Sequence, residues 1–117
     1  MLVVVSGLHG NEPSGVRASH RVADTLAADG GALQGHVIFV TGNLGALRTG
    51  ARFVHRDLNR AWTRTHIDRL KATGGGESSE DREQWDLLHL FNDIIVQATG
   101  PVYLLDLHTT SGEGGAF

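Results

Sequence analysis

The sequence predicts an α/β fold, with a mainly parallel sheet and flanking helices. Three short apolar runs, at 2–6, 36–41 and 102–107, are typical of strands buried in such a sheet, and the first two are rich in β-branched residues. Segments with helical spacing separate these runs, and a strand, helix, strand order implies a right-handed crossover. At 117 residues with 40% hydrophobic content, the chain has the size of one domain.

The first half of the chain is predicted to form one strand, helix, strand unit. After the strand at 2–6, a helix with one apolar side follows from about Ser14 to Ala28, and Gly30 and Gly31 end it. The second strand, residues 36–41, is therefore expected to lie parallel to the first.

The second half begins with a glycine-punctuated stretch, residues 43–60, which lacks a sustained period and is predicted to be a long, partly ordered loop. A short helix is expected at 63–72, and residues 73–79 form a flexible, linker-like loop. Helical spacing of apolar residues predicts a helix over 79–99. The third buried strand is expected at 102–107.

Composition limits the classes of function. The formal net charge is −3 with charges of both signs scattered along the chain, which excludes the basic face that nucleic acids require. The absence of cysteine excludes disulfides, thiolate ligands and cysteine nucleophiles, so a metal must be held by His, Asp or Glu. Without a signal-peptide pattern or an apolar run approaching 18 residues, we expect a soluble, cytoplasmic protein with no membrane partner.

Metal-ligating residue types follow two of the predicted strands. His9 and Glu12 lie in the turn after the first strand, and His108 ends the third. Ligands of α/β sheets collect at the carboxyl ends of strands, and a catalytic zinc typically takes three His or carboxylate ligands. We therefore predict one zinc ion held by these three residues. Taken singly, each residue also has a purely structural interpretation. His9 would pack in the turn, Glu12 would place a charge at the start of a helix, and His108 would be a core histidine whose hydrogen bonds are satisfied.

A second cluster, residues 52–60, contains Arg52, Arg56, Asn59 and Arg60. Alone it is typical of a solvated surface loop. Beside a zinc site, however, guanidinium groups offer paired donors that match a carboxylate. The combination therefore favours a small anionic acyl substrate.

Three motifs in order carry a family resemblance. They are His9-Gly10-Asn11-Glu12, Asp57-Leu58-Asn59-Arg60 and Asp106-Leu107-His108-Thr109-Thr110. Together they resemble the succinylglutamate desuccinylase/aspartoacylase family, relatives of the zinc carboxypeptidases. The resemblance spans residues 3–117 and implies a truncated form of the zinc carboxypeptidase-like fold.

The resemblance also implies a function and roles for residues. The implied function is zinc-dependent hydrolysis of the amide bond of an N-acyl amino acid. The implied zinc ligands are His9, Glu12 and His108; Arg52 is the catalytic residue that polarises the scissile carbonyl, and it contributes to substrate binding with Asn59 and Arg60. Asp57 is implied to support the loop of residues 52–60 that carries these three side chains. Asp106 is expected to orient a ligand, its alternative being a buried Asp satisfied by backbone.

The general-base glutamate of the family lies further downstream than Phe117, and Glu113 does not match its position. We therefore expect residues 1–117 to be the N-terminal part of a zinc-dependent amidohydrolase domain, with weak zinc binding and little hydrolysis by itself. An exposed sheet edge further predicts association into a homo-oligomer.

Three other functions remain open from the sequence. A carboxypeptidase-like metallopeptidase shares the ligands and the clamp. A non-catalytic metal- or carboxylate-binding domain is favoured if the natural chain ends here. A nucleotide-binding module is a weaker alternative, because the turn after the first strand lacks G-x-G-x-x-G and G-K-[ST].

Overall fold

Three strands and four α-helices make up the described part of the chain, which covers residues 1–29 and 33–109 of a computed structural model. No helix in these ranges has both the length and the apolar character needed to cross a membrane. The elements follow in the order β1 (Leu2–Ser6), α1 (Pro13–Ala28), β2 (Val37–Thr41), α2 (Leu44–Thr49), a 3-10 turn (Leu58–Arg60), α3 (Arg64–Thr73), α4 (Ser79–Gln97) and β3 (Tyr103–Leu107).

The strands form one parallel sheet in the order β2-β1-β3. Val5 of β1 lies opposite Val40 on one side and Asp106 on the other. The predicted parallel α/β sheet is thus confirmed. Since all three strands run in the same direction, their carboxyl ends meet at one edge, where the predicted metal residues lie.

The side chains of β1 alternate between the two faces of the sheet, and a helix packs against each face. Val3 and Val5 belong to the buried cluster that includes Leu87 and Ile94 of α4. On the opposite face, the Ser19 hydroxyl of α1 lies 3.5 Å from the Ser6 hydroxyl. This layering fixes β1, and with it the turn that follows, from both sides.

The prediction of a loop throughout residues 43–60 is wrong, because the stretch contains α2 and the 3-10 turn. Asn43 begins α2, its side chain accepting the Ala46 NH, and Gly50 ends it in the left-handed conformation at φ 66°. A helix of six residues is too short for its apolar period to be visible in the sequence.

The segment 73–79 runs from the last residue of α3 to the first residue of α4. Gly74 ends α3 in the left-handed conformation at φ 67°, and the Ser78 side chain caps α4. The flexibility expected for this segment stays a prediction. Gly30 and Gly31, predicted to end α1, lie outside the described residues.

The prediction of a buried third strand is also wrong for the described residues. Tyr103, Leu104 and Leu105 are 66%, 63% and 47% exposed. The strand stands at the edge of the sheet, whereas α1 packs on β1 and β2 and α4 packs on β1. Burial depends on such a covering layer, which an apolar sequence cannot specify.

We expect two copies of the chain to associate through β3. An apolar edge strand invites pairing, and a lysine on it opposes pairing. Leu104→Lys is expected to weaken self-association at least about 10-fold, whereas Val22→Lys, at an exposed site of α1, leaves it unchanged. Light scattering across a concentration series measures both. A strictly monomeric wild-type particle at high concentration would contradict the prediction.

Candidate metal centre

The turn after β1 is tightly packed against the segment that follows α2. The Gly10 NH donates to the Arg52 carbonyl at 3.2 Å, and the Glu12 NH donates to the His9 carbonyl at 3.2 Å. A Cβ at Gly10 would lie 2.1 Å from the carbonyl carbon and oxygen of Ala46. Glycine is therefore required where this turn meets α2.

The structure brings the three predicted metal residues together. One ligand atom each from His9, Glu12 and His108 lies within 4.8 Å of the other two. His9 Nδ1 is 3.2 Å from Glu12 Oε1, and the ring centroids of His9 and His108 are 5.0 Å apart. His9 is 2% and Glu12 9% exposed, whereas His108 is exposed. The strand order places His108 beside the turn, although 96 residues separate it from Glu12.

Other groups hold each of these side chains in place. Asp57 Oδ1 accepts from His9 Nε2 at 2.9 Å, and Asp106 Oδ2 lies 2.8 Å from His108 Nδ1. The Thr109 NH donates to Glu12 Oε2 at 3.0 Å. Carboxylates that accept from the second ring nitrogen are usual around metal-bound histidines.

The donor set fits a zinc ion. Burial raises the pKa of Glu12, but the Thr109 NH and then His9 outweigh burial, so that its pKa lies below the ordinary value. Burial likewise raises the pKa of Asp57, and contacts with His9 and Arg52 lower it overall. Two imidazoles and an ionised carboxylate are a known ligand set for catalytic zinc, with a fourth position left open.

Asp57 connects these residues to the predicted substrate clamp. Arg52 lies 3.6 Å from Glu12 Oε1 through Nη1 and 3.6 Å from Asp57 Oδ2 through Nη2. Asp57 also accepts the Asn59 NH at 3.1 Å and lies 3.7 Å from Arg60 Nε. The guanidinium of Arg52 is thus held at the metal residues, while Asn59 and Arg60 are exposed beside them.

An apolar groove of about 590 Å³ lies next to the metal residues and not over them. It runs between β1, β3 and α4, and it borders the site at Asn59 and Asp106. Glu113, considered above as a proton acceptor, and Thr110 lie outside the described residues.

Glu80 and Asp81 also belong to the surroundings of the site, although the sequence analysis assigned them no role there. Asp81 binds Arg56 at 2.9 Å and Arg69 at 3.2 Å. Glu80 binds the backbone of residues 54–56. The acidic pair is visible in the sequence, but its partners at residues 54–56 lie more than twenty residues away, beyond any local pattern.

Comparisons with known proteins show which family the chain belongs to. Residues 1–115 match the family described as "Succinylglutamate desuccinylase/Aspartoacylase catalytic domain". The chain belongs to this family. The resemblance read from the three motifs is thereby confirmed.

The chain is similar in sequence to succinylglutamate desuccinylases. The protein of Photorhabdus laumondii is 33% identical over 109 residues, which cover 92% of this chain and 33% of that protein. The protein of Erwinia tasmaniensis is 42% identical over 59 residues, which cover 50% of this chain and 18% of that protein. The chain thus spans about a third, or less, of the length of these relatives.

The fold agrees with a solved structure. The crystal structure of the succinylglutamate desuccinylase from Chromobacterium violaceum superposes with a TM-score of 0.73 at 24% identity. The match covers 92% of this chain and 32% of that chain. The α/β fold predicted from the sequence is confirmed by this likeness.

Proposed function

We propose that the chain carries the zinc ligands and part of the substrate site of a deacylase that hydrolyses the amide bond of an N-acyl amino acid. The convergence of His9, Glu12 and His108 beside the Arg52 guanidinium supports it most strongly. The relatives' name, succinylglutamate desuccinylase, supports an anionic acyl amino acid as the substrate class.

One zinc ion would be held by Glu12 and the two histidines. Asp57 accepts a hydrogen bond from His9 Nε2, which leaves Nδ1 of His9 to bind zinc. Asp106 accepts one from His108 Nδ1, which leaves Nε2 of His108 to bind zinc. Bound zinc supplies Lewis acidity that lowers the pKa of water toward about 7 and polarises a carbonyl.

Arg52 is proposed to bind the acyl oxygen of the scissile amide. Its contacts with Glu12 and Asp57 orient the guanidinium before the substrate arrives, so that little reorganisation is needed. A fixed cation at this place stabilises the negative charge that develops on the oxygen during attack on the carbonyl.

Asn59 and Arg60 are proposed to bind the carboxylate of the amino acid. Both are exposed, and a guanidinium forms paired hydrogen bonds with a carboxylate. Within residues 1–29 and 33–109 we assign no proton acceptor. Because the family assignment favours acyl amino acids, we propose deacylation and not the peptidase or the non-catalytic alternative.

The proposal is tested on the natural protein that contains these residues, with metal analysis and a hydrolysis screen over N-acyl amino acids that includes N-succinyl-L-glutamate. Arg52→Gln is expected to lower kcat about 100-fold or more, as the loss of one oxyanion donor does, with zinc content unchanged. Arg48→Gln, at an exposed position of α2, is the matched control. Absence of both zinc and hydrolysis in the wild type, or an unchanged kcat for Arg52→Gln, would overturn the proposal.

A further inference from the structure

Glu80, in the first turn of α4, is a charged side chain with no exposed surface. Removing a carboxylate from water is costly unless hydrogen bonds replace its hydration. The placement of such a group therefore depends on its partners, and here these come from elsewhere in the chain.

Both oxygens of Glu80 are occupied by donors. Oε1 accepts the Val54 NH at 2.6 Å and the Asn43 side-chain amide at 3.2 Å. Oε2 accepts the His55 NH at 3.0 Å and the Arg56 NH at 3.4 Å. Burial raises the pKa of Glu80, but these donors outweigh burial and lower it, which keeps the carboxylate ionised.

The three successive NH groups belong to the middle of a segment without helix or strand, residues 51–57, which we call the clamp loop. Arg52 lies near its beginning and Asp57 at its end. The Gly10 NH binds the Arg52 carbonyl, and Asp57 binds His9, so that both ends are joined to the metal residues. Glu80 holds the part between them.

Asp81 adds a second attachment at the same place. Its carboxylate lies 2.9 Å from Arg56 Nη2 and is buried. The first turn of α4 thus binds both the backbone and a side chain of the clamp loop. Because charge-assisted hydrogen bonds are stronger than neutral ones, this attachment restricts the loop more than water contacts would.

We infer that Glu80 is a positioning residue, which holds the clamp loop and thereby sets Arg52, Asn59 and Arg60 relative to the metal ligands. The inference rests on the proposed function, because it assigns those three side chains to the substrate. A displacement of about 1 Å in such groups can cost about 100-fold in rate, so the anchor matters although it touches no substrate.

Glu80→Gln tests the anchor, because an amide offers one acceptor oxygen and turns its NH₂ toward NH donors. Hydrogen exchange at the Val54, His55 and Arg56 amides is expected to rise about 10-fold or more, with exchange in β1 unchanged. Glu83→Gln is the matched control. It makes the same change three residues later, where Oε1 accepts the Gly45 NH at 2.9 Å, and should leave the clamp loop unaffected.

Steady-state kinetics of the natural, zinc-loaded protein with N-succinyl-L-glutamate separate positioning from simple stability. A misplaced clamp is expected to raise KM about 10-fold or more through Asn59 and Arg60, and to lower kcat through Arg52, at unchanged zinc content. A merely structural role would reduce the active fraction, which lowers kcat and leaves KM unaltered. Glu80→Asp, which retains the charge on a shorter side chain, should give intermediate values of exchange and KM.

Unchanged exchange at the three amides in Glu80→Gln, or raised exchange with an unchanged KM, would overturn the inference. If the Glu80→Gln protein does not fold, both measurements are made on Glu80→Asp instead. If the wild type hydrolyses no N-acyl amino acid, the proposed function fails, and exchange alone then decides whether Glu80 anchors the loop.

Discussion

His9→Ala is expected to abolish zinc binding and, in the natural protein, hydrolysis. His9 is nearly fully buried between Glu12 and Asp57 and places one ring nitrogen next to each carboxylate. Its removal takes away a ligand and leaves two ionised groups without their shared partner. The loss of zinc affinity should exceed the about 10- to 100-fold that the loss of an outer partner costs, which is the effect we expect for Asp57→Asn.

Zinc titration of the purified variant, followed by a competing chelator, measures this effect. His20→Ala, at an exposed position of α1, is the control and should bind zinc as the wild type does. His108→Ala removes a ligand at an exposed position, where damage to the fold is smaller, and should also lose zinc. Retention of zinc at wild-type affinity by both ligand variants would show that the site is wrongly assigned.

Gly10→Ala is expected to have the largest effect on stability. The added methyl group would lie 2.1 Å from the Ala46 carbonyl and 2.4 Å from the Ala51 carbonyl oxygen. Both contacts are with backbone, so α2 or the turn must move. Overpacking of this kind costs about 3 kcal/mol or more, which lowers the melting temperature by about 10 °C or more.

Thermal unfolding followed by circular dichroism checks this expectation, and zinc titration below the transition shows whether the turn has moved. The matched control is Gly100→Ala, where nothing lies within 4 Å of the added Cβ. A Gly10→Ala protein as stable as this control would indicate that α2 does not pack against the turn as described.

The sequence was sufficient to predict an element and its place in the sheet where a local residue pattern and a rule of chain topology applied together. Apolar β-branched runs predicted β1 and β2, and a helix between them predicted their parallel pairing, as observed. The turn residues His9 and Glu12 and the strand-end residue His108 could be placed at one edge of the sheet for the same reason. The predicted burial of β3 failed because burial depends on neighbouring layers and not on the strand's own residues.

The clamp loop shows why the rest of the site could not be predicted. Its residues lack a period, and its shape depends on a carboxylate 24 to 26 residues further along the chain. The position of Glu80 in the sequence does not show whether it is a buried anchor or an ordinary acidic residue near a helix start. In both cases the negative charge interacts favourably with the positive end of the helix dipole.

The chain's residue pattern alone determined the α/β class, the strand directions and the candidate metal-ligating residues, since these follow from side-chain periodicity and from where strands end. Only the tertiary structure decided how the clamp meets the metal residues. Asp57 contacts the side chains of His9 and Arg52, and the buried Glu80 carboxylate accepts from the backbone of the loop between Arg52 and Asp57. Such contacts arise from packing in three dimensions, which leaves no repeat or spacing in the sequence to read.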